Sequence, residues 1–331
     1  MFKKVLIRFP NKILKKTNMK KLLLLAVVAA GLAGMMQSCK PDSPNGGSTG
    51  AALTVAKKQR SLVVYHTATW CGPCGLYAMP EFKKLVAAND IDNIVPVDYH
   101  SSSSSRLAPL WTKTGNDTLF IAPFASQLLT TVSNIDVTTG QYSIPTFWLN
   151  NSLIGSSNIK VTDIQNNAVT ANSIPVEIGV AASASASGQT LNIKYKLKAF
   201  APEAGSDYYV SAFIVEKTVN TLQTVSGSGD VATDHERVIR ASALKNAAGA
   251  PVAFSTDASM TQPAANAEVE KTISWTYTAI PQAVKDKYAS FGLPWWNWNP
   301  ANTGVVIAVW RKVTDPVKPF YLVNTVYTDV K

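Results

Sequence analysis

Trp70-Cys71-Gly72-Pro73-Cys74 puts two thiols at Cys-x-x-Cys spacing, directly after the apolar run Ser61 to His66 and before the helical pattern of Leu76 to Ala88. A thiol attacks as its thiolate, so its reactivity follows its pKa. A cysteine just ahead of a helix faces backbone N–H groups and the positive end of the helix dipole, and both favour the anion. Gly72 and Pro73 turn the chain into the helix. Pro73 costs little there, because first-turn N–H groups have no helical acceptor. Thiol–disulfide exchange through a mixed disulfide is the chemistry this arrangement suits. Two other uses of the pair stay open. One is a structural disulfide, whose short loop gives little entropic stabilisation. The other is metal ligation, but His66, His100 and His235 cannot complete a four-ligand zinc site nearby. His66 and His100 read as ordinary polar residues, and neither metal nor cofactor is expected.

The chain must also carry this pair to a compartment. Its 331 residues are enough for two domains, and 46% apolar with 16% charged residues is a globular composition. Eight of the 31 basic residues lie in 1–38, where there is no Asp or Glu. The formal charge of +10 therefore belongs to a targeting segment and gives no reason to expect nucleic acid. Lys20 and Lys21 precede an apolar run, Leu22 to Met36, that is short for a membrane span. Residues 1–38 read as an export signal with its start at Met19. The run ends in Met36-Gln37-Ser38-Cys39, which resembles a lipoprotein signal with Cys39 as the lipidated residue. Met36 stands where that pattern usually has Leu, and a plain signal peptide with an idle Cys39 is the other reading. Export leaves Cys71 and Cys74 together in an oxidising compartment. Residues 39–52, rich in Pro, Gly and Ser, form a tether.

Periodicity supplies the elements around the motif. Ser61 to His66 reads as a buried strand. Leu76, Met79, Phe82, Leu85 and Val86 share one helical face. Ile94 to Tyr99 is a second strand, Ser101–Ser105 a polar turn, 106–122 an irregular insertion and Phe124 to Ile135 a second helix. Thr146 to Leu149 and Leu153 to Ser156 are strands joined at Asn150-Asn151, a tight-hairpin signal. Val161 to Ala171 is a last helix.

That order, with Ser61 to Gly75 and with Ile144-Pro145-Thr146, resembles the thioredoxin family over residues 53–173. The resemblance implies a thioredoxin-like domain in which Cys71 is the exposed nucleophile, Cys74 the buried resolving thiol and Trp70 a flanking cover. It also implies a cis bond before Pro145, with the Ile144 carbonyl facing an extended substrate. Two positions depart from the family pattern. Tyr65 occupies the place of the usual buried acid, and a phenol of pKa about 10 is a poor proton acceptor at neutral pH. Pro80 lies one residue later than the usual helix proline.

Beyond Ser173-Ile174-Pro175 the period changes to two. Leu191, Ile193, Tyr195 and Leu197 alternate with polar residues, and Tyr209–Val215, Glu268–Tyr277, Val305–Val313 and Pro319–Tyr327 read as further strands. Gly/Ser-rich turns at 182–188 and 225–230 separate them. Residues 174–331 therefore read as an all-β sandwich of roughly seven or eight strands. The fold class expected is an α/β thioredoxin-like domain followed by this sandwich. An exported lipoprotein of that make-up, with Asp234-His235-Glu236-Arg237 and Trp298-Asn299-Pro300, is similar to the thioredoxin-related outer-membrane lipoproteins of the Bacteroidota. The implied activity is thiol–disulfide exchange on exported proteins from a lipid anchor in the envelope, at the outer membrane. The alternative is a binding lipoprotein with the thioredoxin half as scaffold. In it Trp295, Trp296 and Trp298 stack on a glycan or peptide, or meet a protein partner. Such a cluster more often plugs the open end of a sandwich, and 234–237 read as a charged strand edge or an interdomain contact.

Overall fold

The computed structural model describes residues 52–100, 127–128, 143–156, 158–290, 295–316 and 318–331. The signal segment, Met19, Cys39, the tether to residue 51, the Ser101–Ser105 turn and the 106–122 insertion lie outside them. Of the helix expected over 124–135, Gln127 and Leu128 are described; both are helical, and Leu128 is buried.

Strand β1 (Ser61–Thr67) is buried along its whole length, as its run of apolar and β-branched residues requires. It pairs in parallel with β2 (Ile94–His100) and antiparallel with β3 (Thr146–Leu149), which turns at Asn150 into β4 (Ser152–Gly155). Asn150 takes φ 54°, the left-handed geometry a tight hairpin demands. Between β1 and β2 the chain forms a π-helical turn, Cys74–Ala78, and then α1 (Met79–Ala87). The five-residue turn shifts the helical phase. Leu76, expected on the buried face, is instead 38% exposed, whereas Met79, Phe82 and Leu85 are buried. Helix α2 (Val161–Ala171) packs beside α1 over Val63, Tyr65 and Phe147.

The remaining strands are β5 (Ile178–Ser187), β6 (Thr190–Ala199), β7 (Asp207–Val225), β8 (Gly229–Ser242), β9 (Met260–Thr261), β10 (Glu268–Thr276), β11 (Thr303–Lys312) and β12 (Phe320–Asp329). A short helix, α3 (Gln282–Ser290), follows β10. Residues 182–187, expected as a turn, are strand. Ala182 and Ala184 face the core while Ser183 and Ser185 alternate with them, and the turn itself is Gly188-Gln189. Strands β10, β6 and β5 make one sheet. The others make a nine-stranded mixed sheet in the order β12-β11-β7-β8-β2-β1-β3-β4, with β9 on β7. The small sheet packs on β7, β11 and β12 as a sandwich around Ile193, Leu197, Val210, Ile307 and Val309. The boundary read at 173/174 falls between α2 and β5, and the large sheet crosses it where Asp98 pairs with Val238.

The length of β7 and β8 sets up the site. β7 pairs with β11 as far as Glu216. Beyond Lys217, residues Thr218–Val225 and Gly229–Glu236 pair with each other as a two-stranded arm. The arm departs at Arg237, which holds φ 53° with its guanidinium 4.2 Å from the Tyr327 ring.

Candidate functional site

Cys71 and Cys74 are joined as a disulfide where β1 gives way to the helix. The Cys71 amide closes a turn on the Ala68 carbonyl at 3.1 Å, and the Gly75 amide reaches the Cys71 carbonyl at 3.2 Å. The Cys74 amide donates to Cys71 Sγ at 3.2 Å, so a backbone donor of the first turn already points at that sulfur. Cys74 is fully buried and packs with Cys71 and Ala68, against Trp70 and Ile144. The Ile144–Pro145 peptide is cis.

Tyr65 lies below the pair. Its ring sits 4.9 Å from Phe147 and 5.0 Å from Phe82, its hydroxyl donates to the Cys74 carbonyl at 3.4 Å, and Thr67 Oγ1 donates to it at 2.9 Å. Burial first, and Asp98 second, hold its phenol well above the ordinary value. It is no proton acceptor. His66, one residue on, faces the other way and packs on Tyr99.

Cys71 is only 4% exposed, where the resemblance implied an exposed nucleophile. The β7–β8 arm contributes the cover. The Thr224 amide donates to the Thr69 carbonyl at 2.7 Å and the Ser226 amide to the Gly72 carbonyl at 3.2 Å. Gln223, fully buried, donates from Nε2 to the carbonyls of Ala68 and Cys71 at 3.2 and 3.0 Å. Two glycines let the backbones meet. A Cβ at Gly75 would lie 2.4 Å from the Thr224 carbonyl oxygen, and one at Gly72 would lie 2.6 Å from Ser226 Oγ. The Gly75 contact is with backbone and cannot be relieved without moving the arm, whereas rotation of the Ser226 hydroxyl relieves the closer contact at Gly72.

The other candidates lie elsewhere. Trp296 and Trp298 fold back on Trp275 and Tyr277, with ring centroids 5.1 to 6.0 Å apart. Trp298 Nε1 donates to the Gly188 carbonyl and the Tyr277 hydroxyl to the Trp296 carbonyl, so these rings close one side of the sandwich core. Trp295 bonds to Asn297. Arg240, Lys245, Trp275 and Trp296 line a groove of about 320 Å³. In the 234–237 segment the side chains alternate: Asp234 meets Asn220, Glu236 meets Thr218, and His235 and Arg237 are buried. His235 comes to rest beside His100 and Asp98. No local pattern in the sequence links these two histidines, which are far apart in the chain and are brought together by the β2–β8 pairing.

No helix among the described residues is long and apolar enough to cross a membrane. No protein-family model matches the sequence, and neither does any curated protein. Among solved structures the chain is similar to HBP35 of Porphyromonas gingivalis, with a TM-score of 0.52 at 14% identity over 84% of this chain and 77% of that one. This likeness is one of fold. A domain of the outer membrane lipoprotein Omp28 from the same organism overlaps 47% of this chain and 89% of its own at 11% identity, but its TM-score of 0.26 carries no argument.

Proposed function

We propose that the chain is an exported lipoprotein, anchored through Cys39 at the outer membrane, whose thioredoxin-like half exchanges thiols and disulfides with envelope proteins at Cys71 and Cys74 when the β7–β8 arm lifts. The observation that carries this reading is the disulfide at the helix start, with the Cys74 amide aimed at Cys71 Sγ. The strand–turn–helix order and the packing of Ile144 against the pair support it. So does the π-helical turn, whose extra residue accounts for the displacement of Pro80 from the thioredoxin spacing.

With the arm lifted, a substrate thiolate attacks Cys71 Sγ. The S–S bond breaks, and its electron pair leaves on Cys74 Sγ. A second substrate thiolate attacks the mixed disulfide, releasing an oxidised substrate and leaving the Cys71 thiolate against the Cys74 N–H. Two electrons pass from the substrate dithiol to the pair, and the reverse steps reduce a substrate disulfide. Because Tyr65 cannot relay protons, Cys74 exchanges its proton with water that the lifted arm admits.

Insulin reduction driven by dithiothreitol tests the chemistry. Cys71→Ser is expected to abolish activity, and Cys74→Ser to accumulate a mixed disulfide at Cys71. Activity surviving in Cys71→Ser contradicts the proposal. Palmitate labelling tests the anchor: a Cys39→Ala protein that stays membrane-bound and labelled refutes it. The groove beside Trp296 favours a second reading, a binding lipoprotein in which the thioredoxin half is a scaffold. Glycan and peptide binding unchanged in Trp296→Ala would remove it.

A further inference from the structure

We infer that Asp98, His100 and His235 form a binding site for a divalent first-row transition ion, with zinc as the ion to test. The three residues are buried, and one donor atom from each lies within 4.8 Å of the other two. His100 Nε2 stands 3.3 Å from Asp98 Oδ2, and His235 Nδ1 stands 4.0 Å from the same oxygen. Metal–ligand bonds of 2.0–2.2 Å place two tetrahedral ligands about 3.4 Å apart. The set is therefore slightly open and needs only side-chain adjustment to close on an ion.

The donor types agree with that chemistry. Imidazole nitrogen with carboxylate oxygen suits borderline divalent ions, and three protein ligands leave one position for water or another ligand. The backbone holds the donors in register. Asp98 and His100 are alternate residues on one face of β2, and Asp98 pairs with Val238 of the strand that carries His235.

The position gives the ion a structural consequence. His235 belongs to the arm, just before its departure at Arg237, whereas Asp98 and His100 belong to the sheet below. A bound ion would fasten the base of the arm whose far end covers Cys71. The site stands independently of the redox proposal, since none of its ligands is a cysteine.

The test uses the full chain without a polyhistidine tag and in its disulfide form. It is stripped with chelator and titrated with zinc against a chromophoric competitor. About one equivalent is expected to bind, at least about tenfold more weakly in His100→Ala and in His235→Ala, and unchanged in His66→Ala. No competition by the wild type, or equal affinity in His235→Ala, overturns the site. Should the alanine variants fail to fold, zinc-edge absorption of the wild type decides. Two imidazoles and one carboxylate in the first shell support the site, and a shell of water oxygens alone refutes it.

Discussion

At the scale of the residue, Tyr65 and His66 are sequence neighbours on opposite faces of β1, and burial drives each toward its neutral form. For His66, burial and the nearby His100 hold the pKa down at about 3. Its value in the unfolded chain is about 6.5. Below that pH the unfolded chain takes up a proton that the folded one refuses, so the stability is complete above pH 6.5 and lost as pH falls toward 3. Urea midpoints are expected to drop between pH 7 and 4.5, with about 2 kcal/mol of the loss traceable to this residue. His66→Phe should flatten that slope, and an unchanged slope would show that His66 is protonated in the fold. The opposite orientation of the two side chains was legible in the sequence, because a strand alternates faces. The company of His235 was not, since no local pattern links it to His100 across more than a hundred residues.

At the scale of the element, the β7–β8 arm is one part of the molecule that sequence periodicity missed. The reading ended β7 at Val215, where the apolar alternation ends. The strand runs on to Val225 because its buried row changes character to Val219, Thr221 and Gln223. Gln223 Nε2 finds the carbonyls of Ala68 and Cys71, whereas Gln223 Oε1 and Thr221 Oγ1 are buried with no hydrogen-bond partner among the described residues. The glycines of the motif also acquire a reason beyond the turn itself, since Gly75 admits the Thr224 carbonyl. Gly75→Ala is expected to lift the arm while leaving the helix intact, because alanine is the better helix former. Hydrogen exchange checks this. The Thr224 and Ser226 amides should lose at least about tenfold protection, with β1 and β11 unchanged. Unaltered protection at Thr224 would show that the contact is incidental.

At the scale of the whole molecule, the two halves read from the change of period at residues 173–175 are stitched together by polar side chains. Asn324, fully buried on β12, accepts from the Arg60 and Thr325 amides and donates to the carbonyls of Lys58 and Ile178. Asn151 donates to the Phe320 carbonyl and accepts from the Leu322 amide, and Gln59 reaches the Val323 carbonyl. Alternation made β6, β10, β11 and β12 legible in the sequence and an apolar run did so for β1, but β5, β8 and these cross-links were not legible. Each cross-link is a single polar residue whose partners lie in another element. Asn324→Ala strands several buried backbone groups and is expected to cost about 2–4 kcal/mol. Thermal unfolding should remain one transition at a lower midpoint; two separate transitions would show that the halves fold independently.

The central claim is that the arm governs access to a reactive disulfide, and the rate at which dithiothreitol opens Cys71–Cys74 measures it most directly. Gln223→Ala removes the side chain that holds the arm to the Ala68 and Cys71 carbonyls, a loss of about 1–2 kcal/mol. The wild type is expected to react slowly and Gln223→Ala about fivefold to thirtyfold faster, with the attack at Cys71. Equal rates in the two proteins would contradict the account.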